Sequence, residues 1–239
     1  MQLRLRKSNA AFVLTCAVLV GIKLLFQFYP GDFPGKDQAL AFTWPIVCGV
    51  SLLGLAGLYA EHSLQIPDAF DNPERARRAI IWATVAGVIY GCITIATDLY
   101  HPGEKSPVAT ADWPHMALPW SIPFYTFGAI LLEFLLRLGG LCALVWVLHV
   151  VLLRRKFLPQ AFWSINLIVA LYEVLPFMLR NARRGRWDQV VLDFAGPLYL
   201  SNIFEGWLLL RFGWFTPILF RLAFYLIWHI VYGGLFRPS

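Results

Sequence analysis

LPWSIPFYTFGAILLEFLLRLGGLCALVWVLHVVLL, residues Leu118 to Leu153, carries only two charged side chains in thirty-six positions, Glu133 and Arg137, both near its middle. At about 1.5 Å of rise per residue, a helix of this length exceeds what the roughly 30 Å hydrocarbon core of a bilayer requires. Read as one tilted helix, it sets Glu133 and Arg137 deep in the membrane. Four residues apart, they share a helical face and can pair. An ionisable group at that depth costs roughly 2.5–3.5 kcal/mol on insertion scales, so such groups turn to the bundle interior. Two roles suit them: a structural ion pair that locks helices together, or part of a functional site. The rest of the chain must supply what meets them.

Composition sets the class. Hydrophobic residues make up 59% of the 239-residue chain and charged residues 14%, and the mean hydropathy is positive. These values exclude an ordinary soluble domain and point to an all-α, polytopic integral membrane protein, with the lipid bilayer as its first partner. The net charge of +6 does not point to nucleic acid, because the Lys and Arg fall in short clusters between apolar runs. Membrane orientation produces that distribution. Cys16, Cys48, Cys92 and Cys142 stand singly in apolar runs without C-x-x-C spacing. They read as small hydrophobes, not as a disulfide framework or a zinc site.

About seven transmembrane helices are expected. Arg4-Leu5-Arg6-Lys7 precedes a long apolar run from Ala10 to Tyr29; no small-x-small cleavage site follows it, and it reads as a retained first span. Lys23 lies near enough to its end to snorkel outward. A second span, about Ala39 to Tyr59, is rich in small residues that let helices approach closely. A loop bearing Arg75, Arg77 and Arg78 leads to a third, from about Ala79 to Thr97, and Asp98 to Trp120 is the longest polar segment. After the long fourth run come a fifth span (Phe162 to Leu179), a sixth (about Ala195 to Leu210) and a seventh (Trp214 to Phe236). Only Arg211-Phe212-Gly213 separates the last two, so they form a tight antiparallel hairpin. The chain divides into a three-span region, residues 1–117, and a C-terminal region, residues 118–239, that holds most of the intramembrane polar side chains.

The Lys/Arg asymmetry of the first three spans predicts an inner (plasma) membrane protein with a cytoplasmic N-terminus. On that reading the Arg75–Arg78 loop is also cytoplasmic and the 98–118 loop lies outside. The alternation strains later. A fifth span after Arg154-Arg155-Lys156 would put Arg180, Arg183, Arg184 and Arg186 outside. Splitting the fourth run at Gly139-Gly140 only moves the violation, and no polar turn interrupts that run, so a single helix is expected.

Asn166, Glu173 and Arg180 are seven apart on the fifth span; Arg221, Tyr225 and His229 are four apart on the last; Glu205 lies in the sixth. Glutamates and arginines gathered in one bundle would nearly neutralise each other, so a paired network is the cheapest reading. No metal site is expected: Glu133, Glu173, Glu205, His149 and His229 offer ligand atoms, but no Glu-x-x-His or His-x-x-x-His spacing occurs. No G-x-S-x-G nucleophile motif occurs either, and nothing in the chain calls for a cofactor.

The segment Ala129-Ile-Leu-Leu-Glu133-Phe-Leu-Leu-Arg137-Leu138 resembles the E-E-x-x-x-R helix of the CAAX prenyl protease and bacteriocin-processing (CPBP) intramembrane family. Phe204-Glu-Gly-Trp-Leu-Leu-Leu-Arg-Phe-Gly213, followed by Pro217-Ile-Leu-Phe220, resembles that family's last helical pair. The likeness covers about residues 120–232. It implies an intramembrane endopeptidase scaffold acting on lipidated or leader-type peptides, with Glu133, Arg137 and Glu173 as the catalytic candidates. Glu205, Arg221, Tyr225, His229 and Asn166 would be its binding residues. The departures are chemical. The family's water-activating first glutamate falls on Leu132, the first histidine on Val174, the phenylalanine four residues before it on Ala170, and the final H-x-x-x-N/D on Arg221 and Tyr225. A carboxylate base and oxyanion stabilisers are what hydrolysis would need. The resemblance therefore implies a protease-like scaffold that has lost hydrolysis and binds or assembles with a membrane protein, a lipidated peptide or a lipid. The alternative is an active glutamate-dependent endopeptidase using Glu133 with Glu173 or Glu205.

Overall fold

In hydrocarbon every backbone N–H and C=O must be satisfied within the chain, so an apolar run long enough to cross becomes a helix. The computed structural model describes residues 7–33, 35–100, 115–182 and 195–236, leaving aside the side chains of Phe177 and of residues 180–182. The expectations that rest on Arg4 and Arg6, on the body of the 98–118 loop, on the Arg180 side chain and on Arg183, Arg184 and Arg186 lie outside these described residues. Among the described residues eight α-helical elements follow in order: α1 (Lys7–Phe28), the short α2 (Lys36–Ala41), α3 (Trp44–Ser63), α4 (Pro73–Tyr100), α5 (Ser121–Leu152), α6 (Leu158–Ala182), α7 (Gly196–Phe212) and α8 (Phe215–Phe236). There is no strand among the described residues.

Six of these helices, α1, α3, α4, α5, α6 and α8, are long and apolar enough to cross a membrane. The chain is a multi-pass membrane protein with an all-α bundle. The remaining long helix, α7, has 17 residues and spans roughly 25 Å at the short end of the crossing range. Its Asn202, Glu205, Leu208 and Leu209 are buried in the bundle.

Two boundaries differ from the apolar runs. The second span does not begin at Ala39: α2 stops at Ala41, and α3 starts at Trp44 with Pro45 in its first turn. Proline's fixed φ and missing N–H suit a helix's first turn. The third span's helix, α4, begins at Pro73, six residues ahead of its apolar run, because Glu74, Arg75, Arg77 and Arg78 form a polar first turn and a half.

The fourth run is one helical element, as a run without a polar turn predicts. Over Phe134–Cys142 and again over Val147–Leu152 it widens to π-helix, and α8 does so over Leu226–Phe236. The first widening contains Gly139 and Gly140, where α5 meets α3 most closely. A Cβ on Gly57 of α3 would strike the Leu138 carbonyl, and one on Gly139 would strike the Leu53 side chain. Gly54 and Gly57 of the second span therefore serve close helix contact, whereas Gly49 faces open space.

The bundle has two recognisable ends. At one, the Trp214 indole donates to Ser8 Oγ at 2.9 Å, the Trp214 backbone N–H donates to Glu61 at 2.8 Å, and Trp146 reaches Ser63 at 3.0 Å. Here the start of α1, the end of α3, the end of α5 and the α7–α8 turn come together. That turn depends on Gly213, whose φ of +90° suits glycine. At the other end Phe26, Phe33, Tyr29 and Trp120 form an aromatic cluster, and the Tyr232 hydroxyl donates to Asp98 at 2.6 Å. Phe12, Phe134 and Trp214 fill the core between α1, α5 and α8.

Candidate functional site

Four helices deliver charged and polar side chains to one level of the bundle. Helix α5 supplies Glu133 and Arg137, α6 supplies Glu173, α7 supplies Asn202 and Glu205, and α8 supplies Arg221. Arg221 is the hub. Its Nε donates to Glu133 Oε1 at 2.5 Å, its Nη1 and Nη2 donate to the two oxygens of Glu173 at 3.1 Å each, and Nη2 also reaches Glu205 Oε2 at 2.9 Å. The forked pairing with Glu173 uses the planar guanidinium geometry that lysine lacks. Arg137 Nη2 donates to the same Glu205 oxygen at 2.6 Å and to Asn202 Oδ1.

Glu133, Arg137, Glu205 and Arg221 are all nearly inaccessible to solvent. Glu173 is the cluster's edge, its side chain 16% exposed. Residues beside it, Tyr172 and Leu175, face outward. At this depth charges persist only when paired and hydrogen-bonded. Three carboxylates surround two guanidiniums, and the pairing is incomplete. Arg137 Nε and Nη1, Glu133 Oε2, Asn202 Nδ2 and Asn166 Oδ1 are buried without a hydrogen-bond partner among the described residues.

The two charged residues of the 118–153 run, Glu133 and Arg137, are close but not chiefly bound to one another. Glu133 and Arg137 approach at 4.0 Å, and each makes its short bonds across the bundle instead. Asn166 of α6 stands beside the cluster, donating to the Ile203 carbonyl at 3.1 Å and resting where a side chain on Gly206 would otherwise lie. Tyr225 and His229 belong to a neighbouring aromatic layer. His229 stacks on Tyr125 with ring centroids 4.1 Å apart, and Tyr225, Trp228 and His115 surround it. His149 faces the Lys156 carbonyl at 3.0 Å in the α5–α6 turn, away from the glutamates. Among the described residues no group of three His, Cys, Asp or Glu side chains is arranged to hold a metal ion.

Sequence reasoning missed Asn202, which is three residues before Glu205 and so on the same face of α7. The helical spacing that grouped Arg221 with Tyr225 would have found it. It also missed Tyr125 and His115, whose positions depend on how α5 and the segment before it meet α8, a relationship no spacing encodes.

Chemically, the arrangement holds every carboxylate of the cluster against a guanidinium. A general base must have a lone pair free to reach the proton it abstracts. Here Glu173 offers both oxygens to Arg221, Glu205 Oε2 receives both arginines, and Glu133 commits Oε1 to Arg221 while its Oε2 stays buried without a hydrogen-bond partner among the described residues. Comparison with family models, curated proteins and solved structures returns no match to this chain.

Proposed function

We propose that the chain is a divergent, non-catalytic member of the CPBP-like intramembrane family, whose buried polar cluster binds or assembles with a membrane protein, a lipidated peptide or a lipid. One observation carries the reading. Arg221, at the position where the resemblance expects a histidine, is held by Glu133, Glu173 and Glu205 together. A histidine can pass a proton or stabilise an oxyanion while leaving its neighbouring glutamate free. An arginine that never gives up its proton instead stays ion-paired with its neighbouring glutamates. Binding is supported by Arg137 Nε and Nη1, which are buried without a hydrogen-bond partner among the described residues, and by Glu173 at the cluster's accessible edge.

The same proposal places the chain in the inner (plasma) membrane with its N-terminus in the cytoplasm. Lys7, Arg75, Arg78, Arg154 and Arg211 all lie at helix termini or turns of the Ser8–Glu61–Trp214 end, and an excess of Lys and Arg marks the cytoplasmic face.

The test is a cleavage assay on reconstituted protein with prenylated and leader-type peptides, run beside Glu133→Gln and Glu173→Gln. No turnover above a protein-free bilayer is expected. Turnover abolished by either substitution would overturn the reading in favour of the active endopeptidase.

A further inference from the structure

A second feature lies at the end of the bundle where α3 passes to α4 and α7 turns into α8. A pocket of about 200 Å³ opens there, lined by Arg75, Arg78, Arg211, Glu74, Pro67 and Phe212. Its arginines come from segments far apart in sequence, two from the first turns of α4 and one from the last turn of α7. Pro67 and Phe212 give it apolar walls, and Ala79, Ala83, Leu208 and Phe220 pack with Phe212 in the cluster beneath. The counter-charges are weak. Arg78 pairs with Glu74 at 2.5 Å with both side chains more than half exposed, and Arg75 pairs with Asp71 at 3.3 Å. Arg211 is exposed and has no ion-pair partner among the described residues. Exposed pairs of this kind give way readily to a better partner.

The depth of the pocket follows from two tryptophans. Trp82 is one turn beyond Arg78 along α4, and Trp207 is one turn before Arg211 along α7. The two rings meet edge-on with centroids 5.8 Å apart, and Trp82 is half exposed. Tryptophan sits at the headgroup level of a bilayer, so the arginines lie just outside it, at the depth of lipid phosphates. Below Trp82, the outward residues Val85, Ile89 and Ile93 continue as an apolar track along α4.

We propose that this pocket binds a phosphate group, supplied by the headgroup of an anionic phospholipid whose chains run down the α4 track. Guanidinium forks match phosphate oxygens, and basic pockets between transmembrane helices bind anionic headgroups. The site is separate from the buried cluster and does not depend on the function proposed for it.

Native mass spectrometry of the full chain in mild detergent tests this, titrating phosphatidylglycerol or phosphatidylcholine. Preferential retention of phosphatidylglycerol is expected. Arg78→Gln with Arg211→Gln should weaken it roughly thirty-fold. Arg77→Gln, an exposed arginine of the same turn that does not line the pocket, should leave it unchanged. Thermal melting of each variant checks folding. Should the glutamine pair not fold, Arg78→Lys with Arg211→Lys keeps the charge and loses the fork, and a weaker phosphatidylglycerol complex is again expected. Equal retention of the two lipids, or an Arg77→Gln loss as large as that of the double variant, would overturn the proposal. Complete displacement of phosphatidylglycerol by millimolar inorganic phosphate would overturn the lipid assignment and give the pocket to a free anion.

Discussion

Arg221 Nε lies 2.5 Å from Glu133 Oε1, joining α8 to α5 across 88 positions of sequence. Removing a single partner from such a buried pair strands the others. Arg221→Leu leaves three carboxylates with Arg137 as their remaining guanidinium. It is expected to destabilise the protein by about 3–5 kcal/mol. Arg221→Leu combined with Glu133→Gln should be milder than the sum of the two. A double-mutant cycle by thermal unfolding in detergent should give Glu133–Arg221 a larger coupling than Glu133–Arg137, whose closest approach is 4.0 Å. Equal couplings would refute the cross-bundle pairing.

That contrast shows what a sequence can and cannot encode. Apolar run length reports the thickness of the bilayer, so the crossing helices were legible as runs. The ends were less so, since the charged first turns of α4 are helical without being apolar, and Pro45 breaks a run that hydropathy reads as continuous. Helical spacing told which polar residues share a face, and it gathered Glu133 with Arg137 and Arg221 with Tyr225. It could not tell which helix stands opposite. The bonds of Glu133 to Arg221 and of Arg137 to Glu205 therefore stayed hidden, as did the π-helical widening of α5.

Gly57 and Gly49 lie on the same helix with opposite surroundings. A methyl group on Gly57 meets the Leu138 backbone, whereas one on Gly49 meets nothing within 4 Å. Gly57→Ala should destabilise by roughly 1–3 kcal/mol or more, because backbone cannot step aside as a side chain can. Gly49→Ala should be neutral or stabilising by up to about 1 kcal/mol through helix propensity. Melting temperatures of the two variants settle it; similar values would mean that α3 and α5 do not touch at Gly57.

Orientation is open to chemical labelling. Single cysteines at Arg77 and Lys156, in a background lacking the native four, should be protected from an impermeant reagent in intact cells. One at Tyr100, whose side chain is largely exposed, should react. Labelling at 77 but not at 100 would invert the proposed topology.

Glu61 joins the start of α8 to the end of α3. It is fully buried at the end of α3, and its Oε1 accepts the backbone N–H of Trp214, the residue that leads into α8. The first N–H groups of a helix have no partner within it, and a carboxylate there also favours the positive end of the helix dipole. The Trp214 ring is itself anchored, packed edge-on against Phe12 and Phe134 and donating to Ser8. The cap thus fixes α8, and with it Arg221, against α1, α3 and α5. Glu61→Gln keeps an acceptor oxygen at the same reach, while Glu61→Leu leaves the Trp214 N–H buried and unsatisfied, a cost of about 1–3 kcal/mol. The expected order of thermal stability is wild type, then Gln, then Leu. Ser8→Ala, which removes only the acceptor of the indole N–H, should fall between wild type and Leu. If Glu61→Leu melted with the wild type, Glu61 would not hold the start of α8 and the positioning of Arg221 would need another cause.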